Sequence, residues 1–244
     1  KQKERIMLTI VMNFVCTEDK RLDFIVNNAP GYKESLGEFE FIVNFNDELN
    51  EKAVREAFQA EIPRLSYFNN KQKDFAAVTY ELSKNIKTPY VLFLAEDYTV
   101  KVSKEELEAV LQEVSENNID FVNFTKIEKY NRPQYKNMGK YVEGKYGHFY
   151  KGRNSPPSRL SIQGLFKTEL WLTYLKNFLD NKHKPIPHNI PMSYDNLPNY
   201  IEGYYDFSLG PRGNPLFVDL NCYIPKKVIF DHWDEVKQKF AYIN

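Results

Sequence analysis

The sequence has few cysteines, no long apolar run and no excess of charge of either sign. Its two cysteines, Cys16 and Cys222, are far apart and form no Cys-x-x-Cys pair. This argues against a disulfide framework or structural zinc site and favours a reducing compartment. No apolar run approaches the roughly 20 residues of a membrane span, and we expect no signal peptide. Because 33 Lys and Arg balance 33 Asp and Glu, no global field attracts nucleic acid or an acidic membrane.

The chain alternates between apolar, β-branched runs and segments with apolar residues at helical spacing. This alternation predicts an α/β fold: a mostly parallel central sheet flanked by helices, followed by an irregular C-terminal half. The predicted strands are residues 6–15, 39–45, 64–68, 90–94, 119–124 and 215–224. The predicted helices are residues 17–29, 50–62, 74–86, 168–179 and 231–240, together with one that begins at a capping box of Ser103 and Glu106.

Two adjacent carboxylates, Glu96 and Asp97, follow the most hydrophobic predicted strand in the stretch PYVLFLAEDYTV. Ligands of an open parallel sheet bind beyond the carboxyl ends of its strands. Desolvated carboxylates without a partner are costly, and hard oxygen ligands suit Mg²⁺ or Mn²⁺. A divalent cation that also meets a pyrophosphate is therefore one interpretation. The structural alternative is that the two acids end the strand and open a turn.

Residues 126–159 form a basic segment with nine Lys or Arg against Glu128 and Glu143, interleaved with six aromatics. Such a composition suits nucleic-acid binding, since cations neutralise phosphates and aromatics stack on bases. An acceptor loop, a patch that touches anionic lipid or lipid-linked saccharide, and a solvated hairpin explain the same residues.

The order of elements and the stretch YVLFLAEDY resemble nucleotide-sugar glycosyltransferases of the GT-A fold, whose fourth strand ends in an Asp-x-Asp-type motif. The chain is similar in particular to bacterial and viral polysaccharide-type, family-2-like transferases that carry LEDDW at this place. Ala95 takes the first acidic position, and Glu96, Asp97 and Tyr98 take the next three. SIQGLFKTELW (residues 161–171) resembles an acceptor-side segment of the family, and GPRGNPLFVDL (residues 210–220) resembles its late turn and strand.

The resemblance implies a single GT-A-like domain over residues 1–244. Residues 1–102 would be the nucleotide-sugar-binding half, and residues 103–244, with the basic segment, the acceptor-side half. It implies that Asp97, assisted by Glu96, holds Mn²⁺ or Mg²⁺ in a DXD-like motif, although Ala95 removes the acid that would share a strand face with Asp97. The other implied donor-site residues, near the ends of the first three strands, are Thr17, Glu18, Asn44, Asp47, Lys73 and Asp74.

For an inverting reaction, the resemblance implies an acceptor-side carboxylate as the catalytic base. Asp195 is the first candidate, Glu202 the second and Asp206 the third. His188 is the histidine to test as a further metal ligand.

The implied function is a hexosyltransferase-like, metal-assisted glycosyltransferase of polysaccharide biosynthesis. It would move sugar from a nucleoside diphosphate sugar to a saccharide or lipid-linked saccharide acceptor. A cytoplasmic location is expected, and peripheral contact at the inner face of a membrane is left open.

Three alternatives stay open. The first is a non-catalytic nucleotide-sugar-binding module in which Ala95 marks a lost metal site. The second is a nucleotidyltransferase, although CTEDKR (residues 16–21) lacks the glycines of a phosphate loop. The third is a nucleic-acid-binding protein that uses residues 126–159. It is the weakest, because the chain is neutral and shows no RNP, KH or helix-turn-helix pattern.

Overall fold

A computed structural model describes residues 8–14, 19–45, 50–69, 75–95, 98–124, 140–153, 164–180 and 220–232. These ranges contain eleven strands and five helices, and strands and helices alternate from β1 to β4. In chain order the elements are β1 (Leu8–Phe14), α1 (Asp19–Leu36), β2 (Glu40–Phe45), α2 (Glu51–Glu61), β3 (Leu65–Asn69), α3 (Phe75–Ser83), β4 (Tyr90–Ala95), β5 (Tyr98–Val100), α4 (Lys104–Glu116), β6 (Phe121–Asn123), β7 (Lys140–Glu143), β8 (Gly147–Arg153), β9 (Gly164–Lys167), α5 (Thr168–Asp180), β10 (Leu220–Pro225) and β11 (Phe230–His232).

Nine of these strands form one mixed sheet in the order β3-β2-β1-β4-β9-β6-β10-β8-β7. Strands β3, β2, β1 and β4 are parallel neighbours, and β6 and β10 are also a parallel pair. Strand β9 lies antiparallel between β4 and β6, and β8 lies antiparallel between β10 and β7. The predicted α/β architecture with a mostly parallel sheet is confirmed.

Strand β1 lies at the centre of the parallel half, and all seven of its residues are buried. Its side chains alternate between the two faces of the sheet, as the period of two requires. On one face, Ile10 and Met12 join the main hydrophobic cluster with Ile25 of α1, Phe58 of α2 and Val114 of α4. The apolar run that predicted the strand is therefore explained by cover on both faces.

The opposite face is covered by α5 through a chain of aromatic contacts. The ring of Trp171, whose exposure is 0%, stacks on Phe93 of β4 with centroids 5.1 Å apart, and it lies 5.1 Å from the ring of Phe166. Phe166 in turn packs against Phe121 of β6 at 4.7 Å. The indole Nε1 donates to Ser83 Oγ of α3 at 2.9 Å, so α3 and α5 form one layer on this face.

Helix α4 has clear signals at both ends. The predicted capping box is confirmed, because Ser103 Oγ accepts from the Glu106 backbone N–H and the Glu106 carboxylate accepts from the Ser103 N–H. At the other end Asn118 has φ of 53°, its N–H donates to Ser115, and the Ile119 N–H donates to Val114. This is a Schellman ending, in which asparagine tolerates the left-handed position.

Several boundaries differ from the sequence predictions. Helix α1 continues past Pro30 to Leu36, because Tyr32 and Leu36 are 2% and 1% exposed and hold its last turns against the core. The predicted helix over 231–240 is wrong at its start, where β11 pairs antiparallel with β5 and the buried Phe230 ring packs edge-on against Phe124. Residues 233–240 lie outside the described ranges.

The sequence analysis did not predict β5, β7, β8, β9 or β11 as strands. Strands β7 and β8 fall in the basic segment and form an antiparallel hairpin at one end of the sheet, with Phe149 buried in the main cluster rather than solvated. The interpretations of the segment as a binding surface stay predictions. In the described ranges, no helix is both long and apolar enough to cross a bilayer.

Asn118, whose backbone is in the left-handed region, provides a test of how α4 ends. We expect Asn118→Ala to lower the free energy of unfolding by about 1 kcal/mol, because alanine pays a steric penalty at positive φ. Asn118→Gly should leave stability unchanged or raise it. Urea unfolding of the three proteins measures the difference, and equal stability of the alanine and glycine variants would contradict the assignment.

Candidate functional site

The carboxyl ends of β1, β2 and β4 lie side by side at one edge of the sheet, called here the carboxyl edge. Asn13 of β1 is in register with Asn44 of β2 on one side and with Ala95 of β4 on the other. The chain moves outward from β1 to β2 and β3, then crosses back to β4, so the strand order reverses between β1 and β4. This reversal is where open α/β sheets bind their ligands.

Three buried polar side chains form a hydrogen-bonded network at this edge. Asn44 Nδ2 donates to Asn13 Oδ1 at 3.0 Å, and Asn13 Nδ2 donates to Thr79 Oγ1 of α3 at 3.1 Å. The exposed fractions of Asn44, Asn13 and Thr79 are 0%, 6% and 0%. A buried amide is costly unless it is hydrogen-bonded, and these bonds offset that cost while joining β2, β1 and α3. The network is called here the amide relay.

Of the sequence-predicted site residues, Asn44 is the one that falls within the described ranges. It occupies the penultimate position of β2 and is fully enclosed in the amide relay. The others lie outside the described ranges: Thr17, Glu18, Asp47, Lys73, Asp74, Glu96, Asp97, Asp195 and Glu202. In the chain, however, Thr17 and Glu18 follow β1, Asp47 follows β2, Lys73 and Asp74 precede α3, and Glu96 and Asp97 directly follow β4. These residues therefore adjoin, in the chain, the elements that meet at the carboxyl edge. Their roles stay predictions.

The first acidic position of the predicted metal motif carries an apolar residue that belongs to the core. Ala95 is 5% exposed and packs in the main hydrophobic cluster, as does the equally buried Tyr98. Across the described ranges, no group of three or more His, Cys, Asp or Glu side chains is placed to hold a metal ion. The predicted metal ligands Glu96 and Asp97, whose oxygens are the hard ligands that Mg²⁺ and Mn²⁺ prefer, lie outside these ranges, and the metal site stays a prediction.

Strand β9 enters the sheet next to the carboxyl ends of β4 and β6. Its first residue, Gly164, is in register with Phe93 on one side and Asn123 on the other. A Cβ at Gly164 would lie 2.6 Å from the Val122 carbonyl oxygen, so this close approach needs glycine. The segment SIQGLFKTELW thus contributes an antiparallel strand and the start of α5 beside the candidate site.

On the far side of β6, one carboxylate fastens the β7–β8 hairpin to the rest of the molecule. Glu113 of α4 accepts hydrogen bonds from the backbone N–H groups of Lys145 and Tyr146 and, at 2.7 Å, from the Tyr223 phenol of β10. Burial and the hydrogen bond to Glu113 raise the pKa of Tyr223, which keeps the phenol protonated as a donor. A Cβ at Gly147 would lie 2.1 Å from the Tyr223 ring, so the hairpin turn packs directly on this tyrosine.

No protein-family model matches the chain, and no curated protein sequence matches it. Solved structures do match. S. aureus TarS 1–349 in complex with UDP aligns with a TM-score of 0.54 at 15% identity, over 96% of this chain and 63% of that chain. TarS is a glycosyltransferase of the GT-A type. The fold is GT-A.

The same TarS fragment in complex with UDP-GlcNAc gives a TM-score of 0.52 at 12% identity, over 92% of this GT-A chain and 57% of that chain. This chain therefore spans about three fifths of the length of these TarS structures. Two other enzymes align with lower TM-scores. A Pyrobaculum calidifontis mannosyltransferase in complex with GDP-Man and Mn²⁺ gives 0.49 at 12% identity, over 69% of this chain and 46% of that chain. A 4-diphosphocytidyl-2C-methyl-D-erythritol synthase from Anaerococcus prevotii gives 0.47 at 10% identity, over 97% and 96%.

The sequence analysis missed Asn13 and Thr79, which hold Asn44 in the amide relay at the carboxyl edge. A signal for Asn13 was present, because an amide in an otherwise apolar strand has to find a buried partner. β1 and β2 also end in the same dipeptide, Asn13-Phe14 and Asn44-Phe45. Thr79 had no such signal, since a threonine in an amphipathic helix is common and its partner lies 66 positions away.

Glu113 gives a test of how the hairpin is held. We expect Glu113→Ala to lower the free energy of unfolding by about 2–3 kcal/mol, because it leaves two backbone N–H groups and a buried phenol without their acceptor. Glu116→Ala is the matched control: it removes a carboxylate from the same helix whose partner is the side chain of Gln112, and should cost under about 0.5 kcal/mol. Chemical denaturation measures the free energy of unfolding of both variants. Equal decreases would contradict the role of Glu113 in holding the hairpin.

Proposed function

We propose that this protein is a nucleotide-sugar-dependent glycosyltransferase that binds its donor at the carboxyl edge. Residues 1–102 would bind the nucleotide sugar, and residues 103–244 would bind a saccharide or lipid-linked saccharide acceptor. The observation that carries the proposal is the reversal of strand order between β1 and β4, with polar and acidic residues following every parallel strand that ends there. The alignment with TarS, which was crystallised with UDP and with UDP-GlcNAc, supports it.

Sugar transfer breaks the bond between the anomeric carbon and the diphosphate oxygen and forms a bond to an acceptor hydroxyl. The diphosphate leaves with the bonding electron pair, and the hydroxyl proton must go to a base. The protein therefore has to stabilise negative charge on the leaving group and hold a carboxylate near the acceptor. In our assignment Thr17, Glu18 and Asp47 contact the base and ribose, and Lys73 and Asp74 lie beside them.

Asp97, with Glu96, is assigned to a divalent cation and to the ribose–diphosphate. When bound, Mn²⁺ or Mg²⁺ supplies positive charge that stabilises the departing diphosphate. Since Ala95 contributes no ligand, this assignment gives the protein fewer carboxylate ligands than an Asp-x-Asp motif has. We assign the base of an inverting transfer to Asp195, with Glu202 as the second candidate.

The first test is donor and metal binding. We expect one nucleotide family among UDP-, GDP-, CMP- and dTDP-sugars to raise the melting temperature with Mn²⁺ and to do so less with EDTA. A ligand at about 100 times its Kd stabilises the native state by about 2.7 kcal/mol. Asp97→Asn should remove the Mn²⁺-dependent part of the shift. Asp120→Asn is the control, because Asp120 is paired with Lys167 at the start of β6, away from the carboxyl edge.

Three outcomes of this thermal-shift panel are informative. A metal-dependent shift that Asp97→Asn abolishes supports the donor-site assignment. A shift in the panel, together with no transfer when the same protein is assayed with saccharide acceptors, favours the nucleotide-sugar-binding module. No response to any nucleotide sugar, with or without Mn²⁺, rejects the proposal.

The second test concerns the base. Asp195→Asn should bind the donor nucleotide like the wild type but lose transfer by about 10²–10⁴-fold, which is the usual contribution of a general base. Transfer rates and nucleotide affinity are measured on the same protein sample. If Asp195→Asn keeps its activity and Glu202→Gln loses it, the role passes to Glu202.

A further inference from the structure

The amide relay places three polar side chains at buried positions. The residues that share its sheet face one step back in β1 and β2, Val11 and Ile42, are apolar and buried, and an aliphatic pair would suit the positions of Asn13 and Asn44 as well. Polar side chains in such a place contribute little net stability, because their hydrogen bonds mainly replace bonds to water. What they add is direction, since an amide–amide bond tolerates one relative placement of its two strands.

The three elements that the relay joins are the ones that adjoin predicted nucleotide ligands. Asn13 lies four positions before Thr17, Asn44 lies three before Asp47, and Thr79 lies five after Asp74. The relay thus fixes β1, β2 and the first turns of α3 relative to one another just where these segments leave the sheet. Its own side chains are closed off from solvent, so they act through the segments that they hold.

We propose that Asn13, Asn44 and Thr79 are positioning residues for the donor nucleotide, and that Asn44 acts in this way rather than by contact with the base or ribose. This inference rests on the proposed function. Binding groups that are already held in place cost less free energy to order when a ligand binds, so loss of a relay bond should weaken nucleotide affinity more than its effect on stability suggests.

Thr79→Val tests the proposal, because valine keeps the shape of threonine and removes the hydroxyl that Asn13 bonds. The matched control is Thr9→Val. Thr9 is also fully buried, lies at the opposite end of β1, and accepts a hydrogen bond from Thr88 Oγ1 at 2.9 Å. Both variants lose one buried hydroxyl bond, but Thr9 is far from the carboxyl edge.

The experiment measures the Kd of UDP, UDP-GlcNAc and GDP-mannose by calorimetry with Mn²⁺, together with the melting temperature, on the full chain. We expect Thr79→Val to raise the Kd of the nucleotide that the wild type binds by about tenfold or more, because groups that the relay no longer holds must be ordered on binding. Thr9→Val should lower the melting temperature by a similar amount and leave the Kd unchanged. Thr79→Ser, which keeps the hydroxyl, should restore the affinity.

Equal Kd values for the wild type and Thr79→Val would overturn the proposal, as would the same loss of affinity in Thr9→Val. If Thr79→Val does not fold, Thr79→Ala deletes the same hydroxyl without placing a methyl group against Asn13 and takes its place, with the same expected and contradicting results. A wild-type protein that binds none of these nucleotides, and none of the CMP- and dTDP-sugars measured in the same way, instead refutes the proposed function. The failure of the proposed function is thereby distinguished from the failure of this inference.

Discussion

The pairing of β1 with β2 on one side and β4 on the other is the constraint on which the rest of the structure depends. All seven residues of β1 are buried, so the strand needs neighbours at both edges and helices on both faces. The parallel direction of these pairs brings three strand ends to one edge, and the reversal of order between β1 and β4 opens that edge to a ligand. The carboxyl edge is thus a consequence of the parallel strand pairs that bury β1.

The two halves of the sheet are held in different ways. In the parallel half, apolar contacts on both faces provide the stability and the amide relay adds directional bonds. In the half that begins with β9, close approaches at Gly147 and Gly164 and the Glu113 carboxylate also hold a hairpin and an antiparallel strand in place. Both halves share the main hydrophobic cluster, which includes Val122, Phe149 and Tyr223, and they differ in the polar and glycine contacts that supplement it.

Much of the parallel half could be predicted from the sequence because its signals are local. Apolar runs gave β1, β2 and β4, helical spacing gave α2 and α3, and the Ser103–Glu106 pair gave the start of α4, all within a few residues of the observed bounds. Strands β5, β9 and β11 were missed because each is short and paired with a strand far away in the chain. The β7–β8 hairpin was missed because its basic sequence, interrupted by glycines, lacks an apolar run. Strand β11 was taken for a helix because its pairing with β5, about 130 positions earlier, leaves no local trace.

The sequence by itself determined the α/β architecture, the positions of the parallel strands along the chain and the acidic residues that directly follow them. These features depend only on residue type, which indicates burial, and on which residues are adjacent in the chain. Only the tertiary structure decided that Asn44 is enclosed rather than open to a ligand, and that its partners are Asn13 and Thr79. It also decided that Ala95 belongs to the core. The physical reason is that a side chain's exposure and hydrogen-bond partners depend on which distant elements pack against it, and sheet register and helix docking set these.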